Sequence, residues 1–370
     1  MNDENLADPS FRMDSPIGAR MRIDGREVSY FSGTSYHTLH GAPAVIEAAI
    51  AALRTYGLGP GTHAKMAIYA ETEALVCQHF GCEKAVSVAS GYLSIMALLL
   101  ALSDDYDVAF ADERSHFSVR DALRCVERPV VWFRHCDPQD LSDQLKRHLK
   151  PGQKPVVVTD GVFPITGALA PVDHLVELLK AYPGGLLCID DSHGVGVLGT
   201  SGRGTLEHFG VEGSGTFCAG TLSKAFGGFG GIVPVSRVLA EKIAAKAGVI
   251  PGASWPPVPA VAAAGAGLRL FRDDPTMLQA LRTNLKHMRD GLSSLGLSIP
   301  ETPVPIFSVQ APTNLKRVYS RLREKDMVVK YVAADGYSDA PPVETLRIAI
   351  FSSHSRAQID DLVAALKICL

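Results

Sequence analysis

An α/β fold built around a mostly parallel sheet is the fold class that this sequence predicts. Short runs rich in Val, Ile and Leu recur along the chain, and segments with helical periodicity separate them. Runs that are apolar at every position are typical of strands covered by helices on both faces. The length of 370 residues and a hydrophobic content of 46% allow a large core. We therefore expect a large domain with a mostly parallel sheet and a smaller α+β domain at the carboxyl end.

The amino-terminal segment, residues 1–42, is polar and contains one predicted hairpin around Asp24-Gly25. A helix is predicted over 43–56, because Pro43 suits a first turn and the apolar residues from Val45 to Leu53 share one face. The glycine-rich stretch 57–63 then predicts a mobile loop.

The large domain is expected to span residues 43–253. Its predicted strands alternate with helices, among them 141–149 and 171–182. The strands are 85–89, 107–111, 130–133, 155–159, 186–189, 216–219 and 231–235. The small domain is expected to span 254–370, beginning with an alanine-rich helix over 258–270. Its predicted strands are 306–310, 327–332 and 345–350.

Composition and charge exclude several classes of function. A net charge of -3 gives no general attraction to nucleic acid or to an anionic membrane. The longest apolar run, 95–102, is too short to span a bilayer, and the acidic residues 1–8 lack the pattern of a signal peptide. The seven cysteines are scattered without a Cys-x-x-Cys pair, so neither a disulfide framework nor a metal site is indicated. We expect a cytoplasmic protein.

The segment Gly220 to Gly228 places Lys224 among small residues directly after a predicted strand. Desolvation lowers the pKa of an amine, and a lysine in such a place can form a Schiff base with an aldehyde. Taken alone, this pattern also fits a surface lysine at the mouth of a loop. Lys224 and Thr221 in the same segment are candidates for binding an aldehyde cofactor.

Two further motifs strengthen the interpretation of Lys224. Asp190 ends a predicted strand, where open α/β sheets bind ligands, and could keep a pyridinium nitrogen protonated. His193 lies three residues later and is a candidate for the same site. The alternative is that Asp190 and His193 only cap a turn. Ser90, Gly91 and Tyr92 lead from a strand into a helix, whose free N–H groups suit a phosphate group.

The sequence of residues 190–199 and the sequence of residues 220–227 together resemble the α-oxoamine synthase family of pyridoxal-phosphate enzymes. The resemblance runs from about Phe31 to His354. It implies a fold-type I transferase and pyridoxal 5'-phosphate as cofactor. It also implies an amino acid and an acyl thioester as substrates and a homodimer with a shared active site.

The resemblance also implies roles for individual residues. His116 corresponds to a histidine that stacks on the cofactor ring, and Arg347 to an arginine that binds the carboxylate of the amino acid. A guanidinium group suits that task because it can hold a carboxylate with two parallel hydrogen bonds. Alternatively, His116 is an ordinary core or surface histidine, and Arg347 is an arginine exposed on a strand edge.

This sequence departs from the family pattern at several positions near the expected site. Thr34 stands at an asparagine position of the entry segment, and Asp160 replaces a glutamate, so both are candidate substrate-binding residues. Pro164 and Thr166 replace a serine and an aspartate. Gly252-Ala253 replaces a Ser-Thr pair that reaches the partner subunit's phosphate.

Three functions remain open at this point. The first is an acyltransferase that joins an amino acid to an acyl thioester with loss of carbon dioxide. The second is an aminotransferase or racemase of the same fold, because a fold does not fix a reaction. The third is a non-catalytic partner subunit, against which the intact Lys224 argues.

Overall fold

The computed structural model describes residues 11–59, 61 and 66–370. The predicted loop 57–63 and the acidic start of the chain therefore lie partly or wholly outside the described residues. The described chain forms two compact units. The sheet unit comprises Pro43–Phe163 and Leu169–Asp273, and the terminal unit comprises residues 11–42, Pro164–Ala168 and Asp274–Leu370. The domain borders expected from the sequence stay a prediction.

The strands are numbered here in chain order. They are β1 (Arg20–Ile23), β2 (Arg26–Tyr30), β3 (Lys84–Val88), β4 (Val108–Asp112), β5 (Val130–Phe133), β6 (Pro155–Asp160), β7 (Leu186–Asp190), β8 (Thr216–Thr221), β9 (Gly231–Val235), β10 (Ile306–Val309), β11 (Met327–Val328), β12 (Lys330–Val332) and β13 (Thr345–Ala349).

The helices are numbered in the same way. They are α1 (Pro43–Tyr56), α2 (Ala67–Phe80), α3 (Ser94–Leu102), α4 (Phe117–Cys125), α5 (Pro138–His148), α6 (Val172–Leu179), α7 (Thr205–Phe209), α8 (Arg237–Lys246), α9 (Val249–Gly252), α10 (Val258–Asp273), α11 (Thr276–Ser294), α12 (Leu315–Glu324) and α13 (Arg356–Cys369). Short 3-10 turns at Leu39–Gly41 and Gly91–Leu93 precede α1 and α3.

The sheet unit contains a seven-stranded sheet in the order β3-β9-β8-β7-β6-β4-β5. The strands from β8 to β5 run parallel, whereas β9 is antiparallel to both β8 and β3. The mostly parallel sheet predicted from the sequence is confirmed. Its strands β4 and β6 are buried at every position, as strands covered on both faces must be.

The carboxyl ends of the central strands carry the polar residues of the sheet. Strands β4, β6 and β7 end at Asp112, Asp160 and Asp190, and β8 ends at Thr221. Asp160 pairs with Asp190 across β6 and β7, and Asp190 pairs with Ala219 of β8. These residues therefore lie along one edge of the sheet, next to one another.

Helix α3 packs in the main core of the sheet unit. Its side chains at Ile95, Leu98 and Leu99 are fully buried among strand residues. Helix α1 matches its predicted bounds, but Leu53, which we expected on the apolar face, is 40% exposed. Apolar periodicity gives the buried face of a helix only approximately. The predicted apolar face of α1 is wider than the surface that the helix buries, so a residue at its edge stays exposed.

The terminal unit has two three-stranded sheets, β1-β2-β11 and β10-β13-β12. The hairpin predicted at Asp24-Gly25 joins β1 and β2, and both turn residues have positive φ, 52° and 76°. The single strand predicted over 327–332 is wrong. It divides at Val329 into β11, parallel to β2, and β12, antiparallel to β13.

No helix in the described part of the chain is long and apolar enough to cross a membrane.

Candidate active site

Asp190 is the buried acid at the centre of the sheet edge. Its side chain is 4% exposed. Oδ2 accepts a hydrogen bond of 2.8 Å from the Ser118 hydroxyl, and Oδ1 accepts one of 3.2 Å from the backbone N–H of Ser192. The carboxylate is therefore held by two donors at the end of a central strand, with its orientation fixed from two sides.

Ser118 links Asp190 to His116. The Ser118 Oγ lies 2.8 Å from His116 Nδ1 as well as 2.8 Å from the Asp190 carboxylate. Helix α4 begins directly after His116, which is its N-cap, so the imidazole and the serine hydroxyl lie together at the first turn of the helix. The link fixes the orientation of the His116 ring relative to Asp190. Sequence reasoning missed Ser118, because nothing local indicates that its partner is 72 residues away.

Asp160 holds the backbone of the same segment. Its Oδ2 accepts a hydrogen bond of 2.8 Å from the backbone N–H of His116, and its side chain is 3% exposed. In this position the carboxylate supports His116 through the main chain. The glutamate-to-aspartate difference noted in the sequence therefore falls on a residue that positions the imidazole.

The turn at Ser90, Gly91 and Tyr92 lies against the end of β8. Ser90 Oγ accepts a hydrogen bond of 3.3 Å from the Tyr92 backbone N–H, as an N-cap does. A side chain on Gly91 would put its Cβ 2.6 Å from Thr221 Cβ. The start of the helical segment and Thr221 are therefore packed so closely that only glycine fits between them.

Tyr92 and His116 are also neighbours. Their rings are 6.0 Å apart and nearly perpendicular, at 71°. The Tyr92 hydroxyl donates to Asp121 of α4. The Ser-Gly-Tyr turn and the histidine segment, predicted separately from the sequence, thus meet in the structure.

Lys224 lies in a loop that two backbone hydrogen bonds close. The Leu222 N–H donates to the Gly230 carbonyl at 2.9 Å, and the Gly228 N–H donates to the Leu222 carbonyl at 3.0 Å. The Thr221 hydroxyl also donates to Gly230, at 2.9 Å. Lys224 itself is partly buried. Its position at the end of β8 is therefore defined by the loop and not by a long flexible segment.

Asp191 follows Asp190 in sequence but has a different environment. It is fully buried, and it accepts hydrogen bonds from the Thr205 backbone N–H at 2.7 Å and the Thr205 hydroxyl at 2.5 Å. Burial raises the pKa of Asp191 to about 7. Side chains on Gly194 or Gly204 would meet its carboxylate. Asp191 thus organises the turn that carries His193, which is also buried.

Arg347 and Thr34 belong to the terminal unit and lie near each other. Arg347 is 3% exposed, its Nε donates to the Pro164 carbonyl at 2.5 Å, and its Nη1 donates to the Gly33 carbonyl at 3.1 Å. The fully buried Tyr36 hydroxyl is hydrogen-bonded to Arg347, and burial raises the pKa of Tyr36 to about 12. The guanidinium is therefore oriented by the segment that contains Thr34.

Two of the unusual positions noted in the sequence have structural explanations. Pro164 lacks the serine hydroxyl, but its carbonyl accepts from Arg347. Thr166 lacks the aspartate charge, but its backbone N–H and its hydroxyl both donate to the Asp339 carboxylate, at 2.9 and 3.0 Å. Asp339, from a distant part of the chain, thus supplies a carboxylate next to Thr166. The substitution at Gly252-Ala253 has no structural explanation within the part of the chain that the structure describes.

Asp112, His135 and Cys136 form one group whose potential metal-ligand atoms lie within 4.8 Å of one another. Asp112 already accepts 2.8 Å hydrogen bonds from the backbone N–H groups of Arg114 and Cys136. These hydrogen bonds give the group a structural role, because they join the loop after β4 to the loop after β5.

The residues of the sheet unit fit pyridoxal 5'-phosphate. The cofactor needs an amine for its aldehyde, an acid for its ring nitrogen and N–H donors for its phosphate. Lys224 supplies the amine in the loop after β8, and Asp190 is an oriented acid at the end of the neighbouring strand β7. Gly91 lets the start of the helical turn, with its N–H donors, pack directly against Thr221 at the end of β8.

The sequence matches the family model described as aminotransferase class I and II over residues 33–366. The 8-amino-7-oxononanoate synthase of Coprothermobacter proteolyticus is 30% identical over 94% of this chain and 90% of its own length. A protein of the same name from Thermoanaerobacter pseudethanolicus is 31% identical over 96% of this chain and 90% of its own length.

Solved structures resemble the chain over nearly its whole length. A serine palmitoyltransferase from Sphingomonas wittichii is 24% identical with a TM-score of 0.90, covering 99% of this chain and 93% of that one. An 8-amino-7-oxononanoate synthase from Francisella tularensis is 22% identical with a TM-score of 0.77, covering 92% and 97%. At these identities the likeness concerns the fold.

Proposed function

The chain belongs to the aminotransferase class I and II family and, within it, to the α-oxoamine synthases, and we propose that it condenses an amino acid with an acyl thioester and releases carbon dioxide. Pyridoxal 5'-phosphate is its cofactor. Relatives that are 30 and 31% identical over most of both chains carry the name of one such synthase. The observation that carries the proposal is the buried link from His116 through Ser118 to Asp190, beside the loop of Lys224.

When bound, pyridoxal phosphate withdraws electrons from the α-carbon of an attached amino acid, and carbon–carbon bond formation at that carbon requires this effect. The Asp190 carboxylate would hold the proton of the ring nitrogen, and its two hydrogen bonds fix its orientation for that task. The Lys224 amine would bind the cofactor aldehyde and move a proton at the substrate α-carbon.

The remaining residues bind and orient. His116 would pack against the cofactor ring, and Asp160 positions His116 through its backbone N–H. Ser90, Gly91, Tyr92 and Thr221 would hold the phosphate group at the start of the helical turn. His193 would bind the phenolic oxygen of the cofactor.

Arg347 anchors the carboxylate of the amino acid, and Thr34 lies beside it. The Arg347 guanidinium has five N–H donors and therefore keeps donors in addition to its hydrogen bonds with Pro164, Gly33 and Tyr36, and a planar guanidinium can direct two parallel N–H groups at a carboxylate. Because its Nε and Nη1 are held by backbone carbonyls, little side-chain entropy is lost when the substrate binds.

The assembly that we propose is a cytoplasmic homodimer with a shared site. Apolar residues on α1, Ile46, Leu53 and Tyr56, are exposed in the single chain, and so is Trp255 in the segment after α9. Apolar patches of this kind mark protein interfaces. The segment 250–257 lies where family members reach the partner subunit's phosphate, although Gly252-Ala253 weakens that contact.

The proposed function is tested by supplying the purified holoenzyme with a panel of amino acids and acyl-CoA thioesters. We expect one pair to release free thiol and carbon dioxide in equal amounts, both dependent on Lys224. Arg347→Ala should raise the KM for the amino acid far more than the KM for the thioester. An alternative outcome is conversion of the cofactor to its pyridoxamine form by the amino acid alone, with a keto acid restoring it at catalytic rates. That result would establish an aminotransferase and refute acyl transfer.

A further inference from the structure

A second cation lies directly opposite Arg347 in the sheet β10-β13-β12 of the terminal unit. Lys330 on β12 is the partner of Arg347 on β13 in the antiparallel register. Residues paired in this way project from the same face of a sheet, about 4.5–5.5 Å apart at their Cα atoms. Like charges directly opposite each other destabilise a sheet. The arrangement therefore needs a compensating group.

The described residues supply only part of that compensation. Neither Lys330 nor Arg347 forms an ion pair within the described part of the chain. The carboxylate near Lys330 is Asp339, whose Oδ2 accepts from the backbone N–H groups of Ile165 and Thr166 at 2.9 Å each. Its Oδ1 has no hydrogen-bond partner among the described residues. One carboxylate thus stands against two cations, and a net positive charge remains.

The excess positive charge also disfavours the charged form of Lys330. Burial and repulsion by Arg347 lower its pKa to about 8, against the smaller opposite effect of Asp339. Its ammonium group lies 5.2 Å from the ring centre of Tyr337, and this contact stabilises the cation only modestly. An anion at this place would relieve the repulsion and restore the charged form.

Lys330 is the exposed member of the pair. Arg347 is 3% exposed and Lys330 is partly exposed, so the pair meets solvent at Lys330, and a ligand that approaches Arg347 from this side passes the ammonium group. The spacing of paired strand residues brings the two cationic groups within the length of one short molecule. The geometry suits one ligand with two anionic groups better than two separate ligands.

We propose that Lys330 binds a second carboxylate of the amino-acid substrate, so that the enzyme acts on a short dicarboxylic amino acid. The inference rests on the proposed function, in which Arg347 binds the first carboxylate. Lys330 is then a residue that determines specificity, and Tyr337 and Asp339 position it.

The test compares each acid with its neutral amide, which has nearly the same shape. Aspartate is compared with asparagine, and glutamate with glutamine, by the change in cofactor absorbance of the holoenzyme without any thioester. We expect at least one acid to bind about tenfold or more tightly than its amide, because a hydrogen bond between charged groups is lost with the amide.

Three variants locate the effect. Lys330→Met should reduce the preference for the acid to less than about threefold while leaving amide binding unchanged. Lys330→Arg should keep the preference, and Lys367→Met, which changes an exposed lysine of α13, should leave both affinities as in the wild type. Thermal unfolding of each variant shows that the fold is intact.

Several results would overturn the proposal. Equal affinity for acid and amide in the wild type would do so, as would equal weakening of both ligands by Lys330→Met. The same applies if Lys330→Met raises only the KM of an acyl-CoA with a free terminal carboxylate, such as glutaryl-CoA compared with butyryl-CoA. Since binding is measured without thioester, failure of acyl transfer would be seen separately, as absence of thiol release with every pair.

Discussion

Two adjacent aspartates at the end of β7 have different roles, and the hydrogen-bond partners of each one determine its role. Asp190 is held by Ser118 and Ser192 at the sheet edge, whereas Asp191 turns inward onto Thr205. The sequence indicated an acid at this strand end, because strand ends are local features. It could not indicate which acid has which task, because Ser118 and Thr205 approach from distant segments.

Replacing Asp190 tests the acid at the cofactor ring. Asp190→Asn keeps the shape and the Ser118 contact but cannot hold a pyridinium proton. We expect a folded protein that still binds the cofactor and has lost at least tenfold in kcat, because a charge-assisted hydrogen bond contributes about 1.5–3 kcal/mol. Steady-state kinetics measure this, with Asp143→Asn at an exposed position of α5 as the control. Near-normal turnover of Asp190→Asn would contradict the role.

Lysine 224 is tested by chemical labelling. Borohydride reduction of the holoenzyme should abolish its visible absorption and attach the cofactor permanently to Lys224, because its amine is the one in the loop at the end of β8. Peptide mapping by mass spectrometry identifies the labelled residue. The assignment fails if the label lies on another lysine or if the protein takes up no cofactor.

The pH dependence of dicarboxylate binding tests Lys330. Arg347, Asp339 and Tyr337 face it, and its pKa is lowered from 10.5 to about 8. The ammonium form, which binds a carboxylate, therefore predominates below pH 8 and is lost as the pH rises through 8. We expect the affinity for the preferred acid to fall above pH 8 and the affinity for its amide to stay constant. In Lys330→Arg the fall should disappear, and a fall that persists there would assign it to another group.

At the scale of elements, the parallel sheet was predictable and the smaller sheets were less so. Apolar runs such as that of β6 are local, and their burial on both faces follows from composition alone. The stretch 327–332 is equally apolar, yet its two halves pair with β2 and β13, which are far away in sequence. The choice of pairing partner is a long-range property, and a local pattern does not contain it.

The close contact between the helical turn at Gly91 and the end of β8 makes a prediction about cofactor binding. Gly91→Ala places a Cβ 2.6 Å from Thr221 Cβ, so the turn must move away from β8. We expect cofactor affinity to fall about tenfold or more, and the free energy of unfolding to fall by about 1–3 kcal/mol, as in other overpacked sites. Gly59→Ala is the matched control, because nothing lies within 4 Å of its added Cβ. Unchanged cofactor affinity in Gly91→Ala would exclude this turn from the phosphate site.

At the scale of the whole molecule, the exposed apolar side chains of α1 are the feature that a single chain does not explain. Ile46, Leu53 and Tyr56 lie at intervals of seven and three residues, so they share one face of the helix. The buried Val45 and Ala52 lie about 100° from Ile46 and Leu53 around the helix axis. The apolar surface of α1 is therefore wider than the part that this chain buries, and exposed apolar surface of this kind marks protein interfaces.

The homodimer is therefore tested on this face. Leu53→Glu puts a charge where a second copy would pack, and burying an unpaired charge costs several kcal/mol. We expect the wild type to sediment at twice the chain mass of 39.5 kDa, and Leu53→Glu to sediment as a monomer with most activity lost, because the proposed site is shared. Val238→Glu, at an exposed position of α8, should remain an active dimer. A Leu53→Glu monomer with full activity would preserve the interface on α1 but show that each chain contains a complete site.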